Sequence, residues 1–262
     1  MSPLELLLFT TDPAFARRAE QAGIDGFIVD WECKGKGDRQ RGFDMEVNAD
    51  TPEDVAMVAQ AVERPVIVRI NGPGDHTPGE IELALDCGAG GLMLPMATDA
   101  GQVARFLDQV AGRARTIVQV ETQPLVEDLD RFATLGWDAA YIGLHDLMLS
   151  RSADSMWRAL LDGTVERIFR TLSGRDVGFA GATVIGGGHP IRFTQILQEL
   201  SRLGARLTFL RRSFKREIED REMGAEIAAV RAAWEACNAR GAAAVASDRE
   251  VLYRYLRQLV GV

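Results

Sequence analysis

Cysteine is scarce in this chain. Three occur in 262 residues, Cys33, Cys87 and Cys237. The number is odd and the spacing is not that of metal ligands, which excludes a disulfide framework and suits reduced thiols in a cytoplasm. Cys33 falls at a strand exit, but no activating constellation accompanies it there. Long apolar runs are also missing. The stretch Leu6 to Phe9 follows no basic leader and reads as a first strand, not as a signal peptide or a membrane span. Basic charge is in deficit, with 30 Lys and Arg against 38 Asp and Glu, a net charge of -8. That balance argues against nucleic acid or an anionic membrane as the main partner. An anionic substrate would have to be met by local Arg, Lys or metal charge. No solenoid-length repeat, low-complexity tract or linker interrupts the chain.

What is present is a globular composition, 47% hydrophobic and 26% charged, on a length that fits one domain of barrel size. Strand and helix patterns alternate from Glu5 onward, the signature of βα units. The predicted strands are Leu6 to Thr10, Gly26 to Glu32, Pro65 to Asn71, Gly91 to Met96, Thr116 to Thr122, Ala139 to Leu144, Val177 to Val184 and Arg206 to Arg212. Eight such strands predict a (β/α)₈ TIM barrel rather than a doubly wound sheet, with 1–262 as a single barrel domain. Asp12-Pro13, Asp50-Thr51-Pro52 and Asp99 read as helix starts. Beyond the eighth strand, Glu217 to Arg240 reads as one long helix and Asp248 to Leu259 as another. Residues from about 215 to 262 are thus expected to form a helical extension used in oligomer contacts. Its apolar face of Leu252, Tyr255, Leu256 and Leu259 is expected on a neighbouring subunit, packing on its own barrel being the alternative.

The chemistry gathers around Arg115 to Leu149. Here an apolar strand ends in Glu121, a helix with Leu125, Leu129, Phe132 and Leu135 at helical spacing follows, and a second strand delivers His145 and Asp146. Alternation sets Gln119 and Glu121 on one side of their strand. In a parallel barrel the carboxyl ends of strands converge, so Glu121 and Asp146 would face a common point, and two hard oxygen ligands suggest a divalent cation. The alternative is that Asp146 caps a turn and Glu121 pairs with an Arg.

Other predicted strand exits bring Asp30, Glu32, Cys33 and Lys34, then Arg69 and Asn71, then Arg211 and Arg212. Only one of those last two adjacent residues is expected to point inward. All three histidines, His76, His145 and His189, fall at or just beyond exits. Arg69 ends an otherwise apolar strand and is expected to grip a carboxylate or a developing oxyanion, or to bridge to Asp30 or Glu32. Gly186-Gly187-Gly188-His189-Pro190 is too loose for a phosphate-binding fingerprint and reads as a loop.

The ordered set GFIVDWE (Gly26 to Glu32), VRIN (Val68 to Asn71), GGLMLPM (Gly90 to Met96), VQVET (Val118 to Thr122) and GLHDL (Gly143 to Leu147) resembles the HpcH/HpaI aldolase and citrate lyase β-subunit family. The resemblance implies metal-dependent barrels acting on 2-oxo acids or acyl-CoA thioesters. It implies Mg²⁺, Mn²⁺ or Co²⁺ on Glu121 and Asp146, and Arg69 against the oxo acid. The expected activity is carbon–carbon cleavage or formation through a metal-stabilised enolate. Arg69, Asp30, Glu32 and His145 are the catalytic candidates, and Arg69, Gln119 and Asn71 the substrate-binding ones. His189 or a metal-bound water are further candidates for the proton shuttle. The chain departs from the pyruvate aldolases in having Asp30-Trp31-Glu32-Cys33 where they carry a His after the acidic pair. It departs from the citrate-lyase branch in having Met96 where a Lys is usual, while Lys36 and Arg39 or Arg41 echo that branch. The rival readings are a CoA-thioester lyase or thioesterase, a phosphoenolpyruvate-type mutase or lyase, and a non-catalytic binding or assembly subunit. A cytoplasmic homo-oligomer with a small oxo acid or CoA thioester as ligand is expected.

Overall fold

The protein is described by a computed structural model covering residues 3–33 and 50–261. Eight strands, β1 (Glu5–Phe9), β2 (Gly26–Asp30), β3 (Val66–Arg69), β4 (Gly91–Leu94), β5 (Arg115–Val120), β6 (Ala139–Ile142), β7 (Asp176–Phe179) and β8 (Leu207–Leu210), pair in parallel in sequence order. β8 returns to β1, so the sheet closes into a TIM barrel. All eight predicted strands are present, but each ends short of its predicted exit. The seventh shows why: Ala180 takes a left-handed φ of 63°, the ladder breaks after Phe179, and only Ala182 rejoins Leu210 as an isolated bridge.

The helices on the outside begin where the sequence places their caps. Asp12 accepts from the Ala14 and Phe15 amides to open α1 (Pro13–Gln21). Thr51 and Asp54 form a reciprocal capping box at α2 (Pro52–Ala61). α3 (Thr77–Asp86) follows β3, and Asp99 caps α4 (Ala100–Val110). The helix predicted from Pro124 to Leu135 is instead two, α5 (Gln123–Glu127) and α6 (Leu129–Ala133). They break at Asp128, which leaves helical geometry while its carboxylate accepts from the Ala100 amide at 2.8 Å, tying the break to the start of α4. After β6 come α7 (Leu144–Ser150), α8 (Arg158–Leu161) and α9 (Thr164–Thr171), and after β7 comes α10 (Phe193–Leu203). The long helix expected from Glu217 to Arg240 is also divided. α11 (Ser213–Glu217) ends early, and Glu222 caps a fresh start by accepting from the Gly224 and Ala225 amides to open α12 (Met223–Asn238).

Alternation along the strands separates two cores. Leu7, Ile28, Ile67, Met93, Ile117, Ala139 and Leu207 fill the barrel interior, while Leu6, Leu8, Val29, Val68 and Val118 pack outward beneath the helices. Among the described residues no helix is long and apolar enough to cross a membrane.

The last helix, α13 (Ala242–Val260), starts earlier than predicted and packs against α10 and α8 of its own barrel. The expected apolar face is divided: Leu252 and Leu256 are buried within the chain, as in the own-barrel alternative, while Tyr255 and Leu259 are exposed. A network running from the buried Glu199 to the partly exposed Glu166 pins the helix, with Arg202 bridging the two, the Tyr253 hydroxyl bonded to Glu199, and Arg249 reaching Glu166 at 2.8 Å. Leu256→Ala should therefore cost about 2–5 kcal/mol in chemical unfolding, whereas Leu259→Ala should stay within about 0.5 kcal/mol. Equal losses would show that α13 is not held by its own barrel.

Candidate active site

Towards the carboxyl ends of the strands the inward positions change character. The alternation that sends Ile28, Ile67 and Ile117 into the aliphatic interior carries Asp30, Arg69, Gln119 and Glu121 into the barrel mouth. Asp30 and Arg69 lie opposite one another in the β2–β3 register. Arg69 Nε donates to Asp30 Oδ1 at 2.8 Å and Nη2 to Oδ2 at 2.6 Å, a bidentate clamp. Its Nη1 lies 3.5 Å from Glu32 Oε2 and 3.4 Å from Gln119 Oε1, and the Phe9 ring sits 5.2 Å away. Burial opposes the guanidinium charge, but the Asp30 bonds and the facing carboxylates outweigh it and hold the Arg69 pKa above its ordinary value. The two alternatives read from sequence are therefore not exclusive in geometry: Arg69 bridges to Asp30 and also lines the cavity.

Glu121 is 1% exposed. Its Oε1 accepts from the Met96 amide at 3.0 Å and its Oε2 from Gln119 Nε2 at 2.9 Å. Met96 adopts a left-handed φ of 57° as its amide meets that carboxylate. Burial first, then repulsion from Asp146 and Glu32, pushes the Glu121 pKa well above the usual carboxylate range, against the pull of Arg69. Room for this carboxylate comes from the next strand exit. A Cβ at Gly143 would lie 2.2 Å from Glu121 Oε2, so any side chain there would have to push the carboxylate aside. Immediately beyond, His145 and Asp146 stand in the first turn of α7.

These groups wall a cavity of 390 Å³. Of the residues singled out from sequence, Arg69, Glu32, Gln119, Glu121, His145 and Asp146 line it. Asp30 is fully buried and acts on the cavity through Arg69. Asn71 is turned away: its Oδ1 accepts from the Cys33 amide, and its Nδ2 and backbone amide both donate to Glu80. His76 precedes α3 and His189 is exposed, and neither they nor the triple glycine form part of the wall. Arg211 and Arg212 both line the cavity, correcting the expectation that only one could. β8 ends at Leu210, so strand alternation no longer governs them, and Arg212 already has helical dihedrals. Lys34, Lys36, Arg39 and Arg41 lie outside the described residues. Sequence reasoning missed Phe9, Tyr141, Trp157 and Phe209, which also line the wall. The step of two from Leu7, Ala139 and Leu207 would have found three of them.

Among the described residues no three His, Cys, Asp or Glu side chains gather as a metal cage. The donor chemistry nevertheless fits a small hard cation. Magnesium is commonly held by one or two carboxylates, with substrate and water completing the shell. Glu121, Asp146 and Glu32 place mutually repelling carboxylates at one mouth, and Glu121 bears the cost.

No protein-family profile matches the chain, and no curated protein matches it in sequence. Solved structures do resemble it. The HpcH/HpaI aldolase from Desulfitobacterium hafniense DCB-2 superposes with a TM-score of 0.61 at 19% identity, covering 80% of this chain and 86% of that one. An HpcH/HpaI aldolase/citrate lyase family protein from Burkholderia cenocepacia J2315 does so with a TM-score of 0.61 at 20% identity over 80% and 88%. The citrate synthase SbnG gives a TM-score of 0.59 at 19% identity over 80% and 86%. At these identities the likeness is one of fold.

A stability test follows from the charge at Glu121. With its folded pKa raised, the unfolded state ionises first, so the metal-free protein loses stability as pH rises from the ordinary carboxylate range through the folded pKa. Glu121→Gln removes that loss. Its Tm without metal should exceed the parent's at pH 8, and the gap should close as pH falls towards the unfolded value. Each ~1 kcal/mol of relief would read as roughly 2–4 °C. A gap that does not vary with pH would contradict the assignment of strain to this carboxylate.

Proposed function

We propose that the chain belongs with the HpcH/HpaI aldolases and citrate lyase β-subunits, and is a divalent-metal-dependent carbon–carbon lyase acting on a 2-oxo acid. The observation that carries this reading is one cavity at the carboxyl ends of the strands. It joins a carboxylate-clamped guanidinium, Arg69, to the charge-strained Glu121 and to Asp146. The fold likeness to proteins named as aldolases and citrate lyase relatives supports it.

Glu121 and Asp146 would hold Mg²⁺ or Mn²⁺, which when bound supplies Lewis-acid polarisation of the oxo acid. The chain's own groups do the rest. Asp30 engages Nε and Nη2 of Arg69, so the Nη1 side is the one turned to Glu32 and Gln119 in the cavity. That side would donate to the 2-oxo oxygen as negative charge develops on it. Because the guanidinium is already pinned, no reorganisation is needed when the charge appears. Gln119 keeps Glu121 aimed inward through their 2.9 Å bond. Among the proton carriers considered from sequence, His145 and Glu32 line the cavity, so proton transfer at C3 falls to them.

Exchange of the pyruvate methyl protons in D₂O, followed by NMR with Mg²⁺ or Mn²⁺, tests the reading. Arg69→Ala should slow metal-dependent exchange about 10²–10³-fold, the usual loss for one donor to a developing oxyanion. Exchange surviving intact in both Arg69→Ala and Glu121→Ala would sink it. Gly143→Ala supplies a milder probe. Its backbone φ of -82° suits alanine, so the added methyl acts only by crowding Glu121. Mn²⁺ affinity by calorimetry should fall roughly 10–100-fold, as when a ligand loses its supporting shell; unchanged affinity would remove Glu121 from the metal set.

A further inference from the structure

The barrel mouth is divided in two. β2, β3 and β5 turn Asp30, Arg69, Gln119 and Glu121 inward, whereas β6, β8 and β1 turn Tyr141, Phe209 and Phe9 inward at the same end. β7, between Tyr141 and Phe209, contributes almost no bulk. Val177 and Phe179 pack outward, which leaves Gly178 inward, and Ala180 just beyond the strand lines the cavity. Tyr141 and Phe209 therefore meet across β7, stacked with centroids 3.5 Å apart and planes 6° from parallel. Phe9 meets Phe209 edge-on at 5.5 Å and 79°. The wall continues upward through Trp157.

The rings make this half's surface largely apolar; the charge beside them is Arg211, near Tyr141, with its Nε held by the Gly181 carbonyl. The Tyr141 hydroxyl donates to the Ala180 carbonyl, and burial pushes its pKa up, so the ring is what Tyr141 offers to the cavity. Aliphatic side chains would have closed the barrel equally well, as they do one step lower with Leu7, Ala139 and Leu207. The aromatic surfaces instead border open volume. At 390 Å³ the cavity falls within the roughly 300–1,000 Å³ of sites that enclose ligands of many heavy atoms, far beyond a three-carbon acid.

Resting on the oxo-acid reading above, we infer that the aromatic half is the acceptor subsite, and that it selects an aldehyde bearing an aryl group. An aromatic ring would pack offset or edge-on against Phe9, Phe209 and Trp157, a contact that rewards planar π surfaces and that a small hydroxylated aldehyde cannot make. In the condensing direction C3 of the oxo acid loses a proton, and its electron pair forms the bond to the aldehyde carbon. The aldehyde oxygen takes up the π electrons and a proton. Cleavage runs the same steps backward, releasing the aryl aldehyde and the oxo acid.

The test compares kcat/KM for benzaldehyde and for glycolaldehyde, each with pyruvate and Mg²⁺, in the parent, Phe209→Leu and Tyr141→Leu. The ratio of the two cancels any general loss from altered folding or metal binding. The parent should favour benzaldehyde at least tenfold, and Phe209→Leu should lower the ratio roughly tenfold. A parent that exchanges pyruvate protons yet favours glycolaldehyde, or a ratio unmoved in both variants, overturns the inference while leaving the oxo-acid reading standing. If the parent exchanges no pyruvate protons, that reading fails, and binding alone decides the subsite. Saturation-transfer NMR with benzyl alcohol should show ring contact in the parent and lose it in Phe209→Leu. Absence of contact in the parent overturns the inference.

Discussion

The bidentate bond between Arg69 and Asp30 is the interaction on which the mouth of this barrel depends. A guanidinium at the end of a strand whose other residues are aliphatic is costly to bury unless its charge is matched at short range. Asp30 matches it from the adjacent strand at 2.6 and 2.8 Å. The pair in turn makes the remaining carboxylates tolerable. Arg69 is the cation that lowers the Glu121 pKa while Asp146 and Glu32 raise it. Beyond that matched pair, Glu121 is buried and still faces Asp146 and Glu32, which strains its charged form. That strain on one carboxylate is the physical argument for a divalent cation, and it stands apart from any likeness to other barrels.

Backbone geometry delivers the charges to one place. Strand alternation brings Arg69, Gln119 and Glu121 round to the interior, where Gln119 accepts from Arg69 and donates to Glu121. The finer placement comes from exceptions to regular structure. Met96 turns through a left-handed conformation as its amide reaches Glu121, and Gly143 omits the side chain that would collide with it. Such strain and close approach persist where the surrounding structure over-determines them, and here they surround one carboxylate.

Much of this was legible in the sequence because it follows from period and residue type. The eight strands, the caps at Asp12, Thr51 and Asp99, and the convergence of Arg69, Glu121 and Asp146 on one end all rest on local patterns that the fold preserves. What failed was information the chain carries only in three dimensions. Strand ends were placed too late because a strand stops where its neighbour's ladder stops, as at Phe179, and no apolar run announces that. Asn71 read as a ligand because it sits at an exit, yet Glu80 on α3 claims both its amide groups. The division of the C-terminal helix region at Glu222 and the inward packing of Leu256 depend on which neighbouring faces lie within reach.

The aromatic half of the mouth shows the deeper reason for such omissions. Phe9, Tyr141 and Phe209 each occupy an ordinary apolar position in an ordinary strand, and nothing in their local sequence distinguishes a core filler from a cavity wall. The distinction arises from β7 and its exit, where the inward residues are Gly178 and then Ala180, and from the volume that these leave open across the barrel. A closed barrel of this size can be filled by its own side chains. Here the polar residues of three strands cannot fill it without burying unmatched charge, and the small residues of a fourth do not. The opening is therefore a consequence of the same charge arrangement that gives the cavity its chemistry, and the aromatic rings limit it on the side away from the facing carboxylates.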